Sequence, residues 1–269
     1  MENLQGLVGV IPGIMTNAFT ILIGLVIGSF VNVVVARLPK GQSLVRPGSH
    51  CPHCRKRIKW WDNIPLLSYL ILRGKCRACH KSISIRYPVI EFLTAILFLA
   101  STLRFGWSPS LFLRDWPFLA ILVAITFIDL EHRIIPDLLS LGGLALGLLT
   151  CWMDPQLGWV KALFGAGFGF LIFYSLAWIY ERFSGRIGLG GGDVKLLAMV
   201  GAFIGSEGVF ATVFISSIFG SLLGIGWALA THKKDVMKLS IPYGPFLVVG
   251  ALYYYLLGDL LWFRFMTPM

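Results

Sequence analysis

Two acidic residues stand where an acid is costly. Asp129 closes the apolar run Phe127-Ile128-Asp129-Leu130, and Asp193 follows three glycines in Gly190-Gly191-Gly192-Asp193-Val194-Lys195, at the mouth of an apolar helix. The chain has only 13 Asp and Glu in 269 residues, and an ionisable group at membrane depth is by default a functional hypothesis. Two carboxylates set a few ångströms apart cannot both ionise, so one keeps its proton while the other can take one from water. Peptide hydrolysis needs that acid–base pair. Each acid alone has a plainer reading: Asp129 can meet solvated headgroups, and Asp193 can cap a helix. Gly190, Gly191 and Gly192 favour the chemical reading, because a Gly-x-Gly-Asp stretch lets an extended substrate backbone approach the acid. Asp137, after Pro136, reads as the start of a helix. Glu131 and His132 are near enough to tune the site without acting in it.

The second constellation is sulfur. Cys51-Pro52-His53-Cys54 and Cys76-Arg77-Ala78-Cys79 are two CxxC pairs with 21 residues between them. Pairs at this interval signal a four-thiolate zinc site, with Cys51, Cys54, Cys76 and Cys79 as ligands. His50, His53 and His80 are adjacent and could replace a thiolate. Two disulfides are the rival reading, which a reducing compartment disfavours. With every position held by protein, the metal is structural, and it staples a basic stretch with little core of its own. Cys151 lies in an apolar run and reads as an ordinary buried thiol.

The elements that carry these groups must be membrane helices. Hydrophobic residues make up 57% of the chain and charged ones 13%, with a mean hydropathy of +0.78; a soluble domain is nearer half apolar and about a quarter charged. The expected fold is all-α and polytopic, with about eight transmembrane helices at 17–36, 87–104, 111–129, 137–153, 159–180, 194–206, 208–231 and 243–263. Only Gly205-Ser206-Glu207-Gly208 separates the sixth and seventh, so seven helices is the rival count. Twelve of the 23 Lys and Arg lie between Arg37 and Arg86, where Asp62 is the sole acid. This clustering reads as a retained cytoplasmic loop, 37–86, between helices 1 and 2. Nucleic acid is not an expected partner of the net charge of +10. With that loop inside, 19 of the 23 basic residues fall on the cytoplasmic side and only Arg104, Arg114, Lys161 and Arg264 outside. Both termini then face the periplasm. Met1-Glu2-Asn3 lacks the basic stretch of a cleavable signal peptide, so the first helix is expected to stay.

In this topology Asp129 ends a helix reaching the cytoplasmic side and Asp193 begins one leaving it, so they share a level although 64 residues apart. The sixth span is short, about 18 Å of helix against a hydrocarbon core of ~30 Å. Either the bilayer thins there or Asp193 is recessed below the headgroups, a depth at which the irregular Gly188–Gly192 backbone is tolerated only where it lines a protein-buried or wet cavity. The turn Ile241-Pro242-Tyr243-Gly244-Pro245-Phe246 reaches the same level. Its prolines leave backbone groups free to bind an extended strand, which makes Pro242, Tyr243 and Gly244 candidate substrate contacts; the plain alternative is a rigid entry turn. Glu91 lies near the start of the second span, where an acid needs a partner. It is either a structural partner for a loop arginine or part of a second active site. The small residues of Gly165-Ala166-Gly167-Phe168-Gly169 predict close helix packing. No internal repeat is evident.

Together these stretches resemble the type IV prepilin peptidases, the bifunctional leader peptidases and N-methyltransferases of bacterial inner membranes. Gly28-Ser29-Phe30-Val31-Asn32-Val33-Val34, Arg37-Leu38-Pro39, both CxxC pairs, Arg86-Tyr87-Pro88-Val89-Ile90-Glu91, Asp129 to Asp137 and Gly190 to Lys195 follow in family order over almost the whole chain. The resemblance implies a GxGD aspartyl protease that cuts the leader of prepilins and type II secretion pseudopilins at the cytoplasmic membrane face. It then methylates the new N-terminal amine with S-adenosylmethionine. It makes Asp129 and Asp193 the catalytic pair. It puts methyl transfer in an N-terminal part, 17–104, with Glu91 as candidate cofactor contact, and the peptidase core in 111–231, followed by a C-terminal helix in 232–269. No glycine-rich cofactor loop is readable in the N-terminal part. Membrane lipid, through anionic headgroups, is the expected partner of the basic loop. The alternatives are a peptidase without methyl transfer and a non-enzymatic zinc-bearing transporter or scaffold. A transporter usually places its ionisable groups near the membrane midplane, whereas Glu91, Asp129 and Asp193 all fall near one end.

Overall fold

A computed structural model describes residues 2–185, 190–231 and 242–266, with side chains in 13–185, 190–226 and 242–258. Gly188 of the glycine-rich stretch, Ile241 of the turn, and Arg186, Lys233, Lys234 and Lys238 of the charge count lie outside these residues. The helices are α1 (Glu2–Arg37), α2 (Leu67–Ile71), α3 (Arg86–Phe105), α4 (Trp116–His132), α5 (Asp137–Thr150), α6 (Gly158–Ser184), α7 (Gly191–Thr231) and α8 (Gly244–Met266). Among the described residues there is no strand, only two isolated bridges in the loop between α1 and α3. Five helical stretches are long and apolar enough to cross a membrane, and two more, in α5 and α8, are apolar but shorter.

The helix ends follow local chemistry. Pro88 sits in the first turn of α3, where its missing N–H costs nothing, and Gly106 at φ 72° closes that helix. Gly185 closes α6 in the left-handed conformation, donating its N–H to Glu181 O. Asp137 opens α5 directly after Pro136.

The chain divides into two compact units, residues 1–111 with 115–124, and 112–114 with 125–269. In the first, α1 and α3 cross at van der Waals distance. A Cβ on Gly24 would stand 2.6 Å from Ala95 Cα, and one on Gly28 2.6 Å from Glu91 Cα. Small residues four apart permit this approach, the usual way membrane helices gain packing contact. Phe98 stacks on Trp116 with ring centroids 4.9 Å apart.

In the second unit the expected break between spans six and seven is a backbone feature. Gly205 has φ 70° and ψ −179° inside α7, a region that only glycine occupies readily. The segments 191–204 and 206–231 are therefore two helices. The first runs antiparallel to α6: Gly165 meets Gly201 and Gly205, and Gly169 meets Leu197. The second runs antiparallel to α8: Gly250 meets Thr212, and the Ser216 hydroxyl lies 2.9 Å from Tyr243 Oη. Buried Arg114, 4% exposed, donates from Nη2 to Phe203 O at 2.6 Å, just before the break, and sits 3.4 Å from Asp154 Oδ2. A carbonyl at a helix end lacks its intrahelical donor, and the guanidinium supplies one.

The loop contains a repeat that the sequence reading did not find. Residues 49–58 and 74–83 make the same turn. Cys51 N–H donates to Lys56 O and Arg55 N–H to Cys51 O; Cys76 N–H donates to Lys81 O and His80 N–H to Cys76 O. Arg55 and His80, each following the second cysteine of its pair, have φ 58° and 57°. The repeat is ten residues long and keeps four side chains, the two cysteines, Lys56 with Lys81 and Ile58 with Ile83, so the sequence carries part of it and the backbone the rest.

The α6–α7 crossing gives a stability test. Gly201→Val should cost more than the about 1–3 kcal/mol of ordinary overpacking, since its new side chain meets the Gly165 backbone. Gly167→Val, with nothing within 4 Å, should be nearly neutral. Thermal unfolding of both variants in one detergent decides it; equal melting temperatures would refute close backbone packing.

Candidate active site and metal centre

In the second unit, residues from three distant stretches meet around Asp129. Asp129 lies in the last turn of α4 and is buried. Gly244, the first residue of α8, donates its N–H to Asp129 Oδ2 at 3.0 Å. A Cβ on Gly244 would stand 2.7 Å from that oxygen, so no other residue fits without moving the carboxylate. Asp193 lies in the first turn of the segment 191–204, and its N–H bonds to Gly190 O at 3.0 Å. Its carboxylate interacts electrostatically with that of Asp129.

Two contacts fasten the glycine stretch to the segment after Asp129. A Cβ on Gly192 would stand 2.9 Å from Ile135 Cβ, and Lys195 Nζ reaches Asp137 Oδ1 at 2.7 Å. The 58-residue separation of that pair gave no sequence signal for it. Pro242 and Tyr243 are half-buried beside Gly244. A cavity of about 300 Å³ adjoins them, lined by Ser217, Gly220, Ser221, Tyr243 and Phe246. The sequence reading missed the small residues of this wall, although Ser217, Gly220 and Ser221 fall on one helix face. Glu131 and His132 are exposed or nearly so, 4.0 Å from each other.

In the first unit the four expected cysteines converge. The sulfurs of Cys51, Cys54, Cys76 and Cys79 all lie within 4.8 Å of one another, and none is in a disulfide. Cys51 Sγ is 3.8 Å from Cys79 Sγ. Tetrahedral zinc with Zn–S near 2.3 Å sets its sulfurs about 3.8 Å apart, so the donor set and spacing fit that ion. Backbone N–H groups of Cys79 and Ala78 aim at the Cys76 sulfur and hold its thiol down to about 7. At Cys79 the Lys81 N–H is outweighed by desolvation and the neighbouring sulfurs, which push that thiol up to about 11, so Cys76 is the readier thiolate of the two. The second turn is clasped from outside: Arg77 makes a bidentate pair with Asp62, the closest contact 2.7 Å. That hydrogen-bonded guanidinium holds the Asp62 carboxyl below its ordinary value. Cys151 is buried in the other unit, its thiol on Leu148 O.

Glu91 departs from the loop-arginine reading of the sequence. Its carboxylate, on a residue 7% exposed, accepts the Leu66 N–H at 2.9 Å and a hydrogen bond from Ser29. The partner is loop backbone rather than a loop arginine. Leu66 itself is held at φ 57°, ψ −49°, in a tight turn where Leu67 N–H meets Pro65 O. Asn32, one turn along α1, donates to Tyr87 O at 3.0 Å. Both hydrogen bonds of the Glu91 carboxylate go to protein groups, a backbone N–H and a serine hydroxyl.

Residues 22–105 match the family described as Bacterial Peptidase A24 N-terminal domain, and residues 116–225 match the Type IV leader peptidase family. A prepilin leader peptidase/N-methyltransferase of Pseudomonas aeruginosa is 38% identical over 266 residues, covering 89% of this chain and 90% of that protein. One of Xanthomonas campestris pv. campestris is 37% identical over 252 residues, covering 85% and 87%. One of Myxococcus xanthus is 41% identical over 219 residues, covering 80% of this chain and 64% of that protein. No solved structure gives a significant match. The chain belongs to the prepilin leader peptidase/N-methyltransferase family.

The sulfur cluster gives the metal test. The purified chain should carry about one metal ion, as a closed four-thiolate site implies. Cys51→Ser or Cys76→Ser should lower that content sharply, and Cys151→Ser should leave it unchanged. Elemental analysis is the readout; full metal content in Cys76→Ser would remove the site.

Proposed function

We propose that this chain cuts the leader from prepilins and pseudopilins at the cytoplasmic face of the bacterial inner membrane and methylates the amine so exposed. The cleavage reading rests most on one observation: the Gly244 N–H holds the carboxylate of Asp129 while the glycine-flanked Asp193 stands within electrostatic reach. Asp129, with an N–H donor on its oxygen, suits the ionised partner and serves as general base; Asp193 keeps the proton and serves as general acid.

The chemistry then balances. A water gives its proton to Asp129 as its oxygen bonds to the scissile carbonyl carbon, and Asp193 protonates the carbonyl oxygen. Next the C–N bond breaks, Asp129 returns its proton to the leaving amine, and Asp193 recovers one from the collapsing diol. Gly190, Gly191, Gly192, Pro242, Tyr243 and Gly244 form the backbone wall along which an extended substrate lies.

The architecture proposed around this site has eight spans, with α7 counted twice across Gly205. The loop 37–86 is cytoplasmic and both termini are periplasmic. Zinc is the ion of the four cysteines, in a structural role. The N-terminal part 17–104 serves methyl transfer from S-adenosylmethionine, to which Glu91 contributes by holding the loop. The part 111–231 is the peptidase core, and 232–269 its C-terminal helix.

Reconstituted protein incubated with a prepilin and labelled S-adenosylmethionine reports both activities at once. Asp129→Asn and Asp193→Asn should each abolish cleavage without lowering metal content, and the double variant should be no worse than either, since the acids act as one unit. Gly244→Ala should slow cleavage strongly, because its methyl would stand 2.7 Å from the Asp129 carboxylate oxygen and push that group aside. Normal cleavage by either Asn variant would sink the dyad.

A further inference from the structure

The stretch between the two metal-binding turns is built inside out. In α2 the polar face is turned inward: Ser68 is buried, accepts the Ile64 N–H at 3.0 Å and donates to Trp61 O at 2.9 Å. Leu67, Leu70 and Ile71, at the i, i+3, i+4 spacing, form an adjoining apolar face and are exposed, Leu70 and Ile71 by 70% and 67%. Trp60, 77% exposed, and Trp61 add aromatic surface beside them. A helix with its serine inside and its leucines outside suits an apolar solvent.

The Glu91 contact fixes the depth of this patch. Leu66, at the head of α2, donates to Glu91, which lies five residues into α3, about 7 Å up that helix from Arg86. An interfacial segment buries its apolar face about 5–10 Å into the headgroup–acyl boundary. A bilayer boundary at Arg86, the first residue of α3, would therefore hold the patch at interfacial depth. Charge agrees with this. Arg55, Lys56, Arg57, Lys59, Arg73 and Lys75 flank it, and Lys59 Nζ lies 4.9 Å above the Trp61 ring. The sole loop acid, Asp62, is taken up by Arg77. Tryptophan at the headgroup level with cations reaching outward is the usual composition of an interfacial anchor.

We propose that segment 60–71 is a monotopic anchor lying in the leaflet beside α3, its Trp60, Trp61, Leu67, Leu70 and Ile71 among acyl chains and its flanking cations on anionic lipid headgroups. The preference for anionic lipid rests on the cytoplasmic orientation proposed above. The anchoring itself does not, and a nanodisc with the same lipid in both leaflets separates the two.

The test uses full-length protein, one copy per nanodisc and no substrate, so neither a second copy nor a pilin helix can cover the patch. The wild type is compared with Trp60→Phe/Trp61→Phe in discs of phosphatidylcholine brominated at a shallow acyl position. The difference between the two, which isolates the fluorescence of these tryptophans among the nine, should be quenched by the bromine and spared by aqueous acrylamide. Replacing about one lipid in three by phosphatidylglycerol brominated at the same acyl position should deepen the quenching, and high salt should reverse the gain. A component open to acrylamide and untouched by bromine overturns the anchor. Equal quenching in neutral and anionic discs overturns the headgroup preference. Should the tryptophan variant lose its metal, Leu70→Ser/Ile71→Ser gives a second reading. Hydrogen exchange over 64–73 in anionic discs should speed up several-fold at unchanged metal content, and no change overturns the anchor.

Discussion

Polar groups inside an apolar protein must find partners, and here the partners are backbone groups released where helices begin or break. Asp129 takes the N–H of Gly244, the first residue of α8. Glu91 takes the N–H of Leu66, in the tight turn ahead of α2. Arg114 gives its hydrogen bond to the carbonyl of Phe203, two residues before the break at Gly205. Helix ends leave such groups unsatisfied, and an unsatisfied group in low dielectric is expensive. Each match removes two costs at once, and each ties a side chain to a segment far away in sequence. The positions of the ionisable groups are thus set by where the helices stop.

Glycine sets how near those helices can come. Gly24 and Gly28 let α1 meet the α3 backbone, while Gly165 and Gly169 do the same for α6 against the segment 191–204. Lipid offers helices no hydrophobic drive to associate, so contact area and polar pairing carry the association. The segment that presents Asp193 is seated by this glycine contact, by Gly192 against Ile135 and by the Lys195–Asp137 pair. An acid carried by a helix so held has little freedom to wander, which is what a pair sharing one proton requires.

The sequence shows the apolar runs, the paired acids and the paired cysteines well, because each is a departure from its surroundings: acids in apolar runs, cysteines at a fixed interval. Even the break at Gly205 is legible, as a glycine-bounded polar step between two apolar runs. The partner of Glu91 is not. A Leu66 N–H becomes available only because of a local turn that no residue type there announces. The repeated cysteine turn was legible only in part. Its left-handed residues at Arg55 and His80 and its three backbone hydrogen bonds per turn carry no local mark, while the cysteines, Lys56 with Lys81 and Ile58 with Ile83 recur in the sequence. Long-range ties such as Lys195 to Asp137 depend on topology and carry no local mark.

The two cysteine turns bracket α2 and its apolar face in a ring of chain whose ends meet at four sulfurs within 4.8 Å of one another. An ion at the cluster shortens the excursion that ring can make, as any cross-link does to the loop it closes. Whatever the ring rests against will then hold the ion more tightly in return, by the reciprocity that links any two ligands of one folded segment. With the proposed ion and the proposed anchor in place, metal content and surface attachment of this loop become one thermodynamic variable. A chelator or an oxidant acting on four sulfurs would then be felt at Glu91, and through it where α1 and α3 cross.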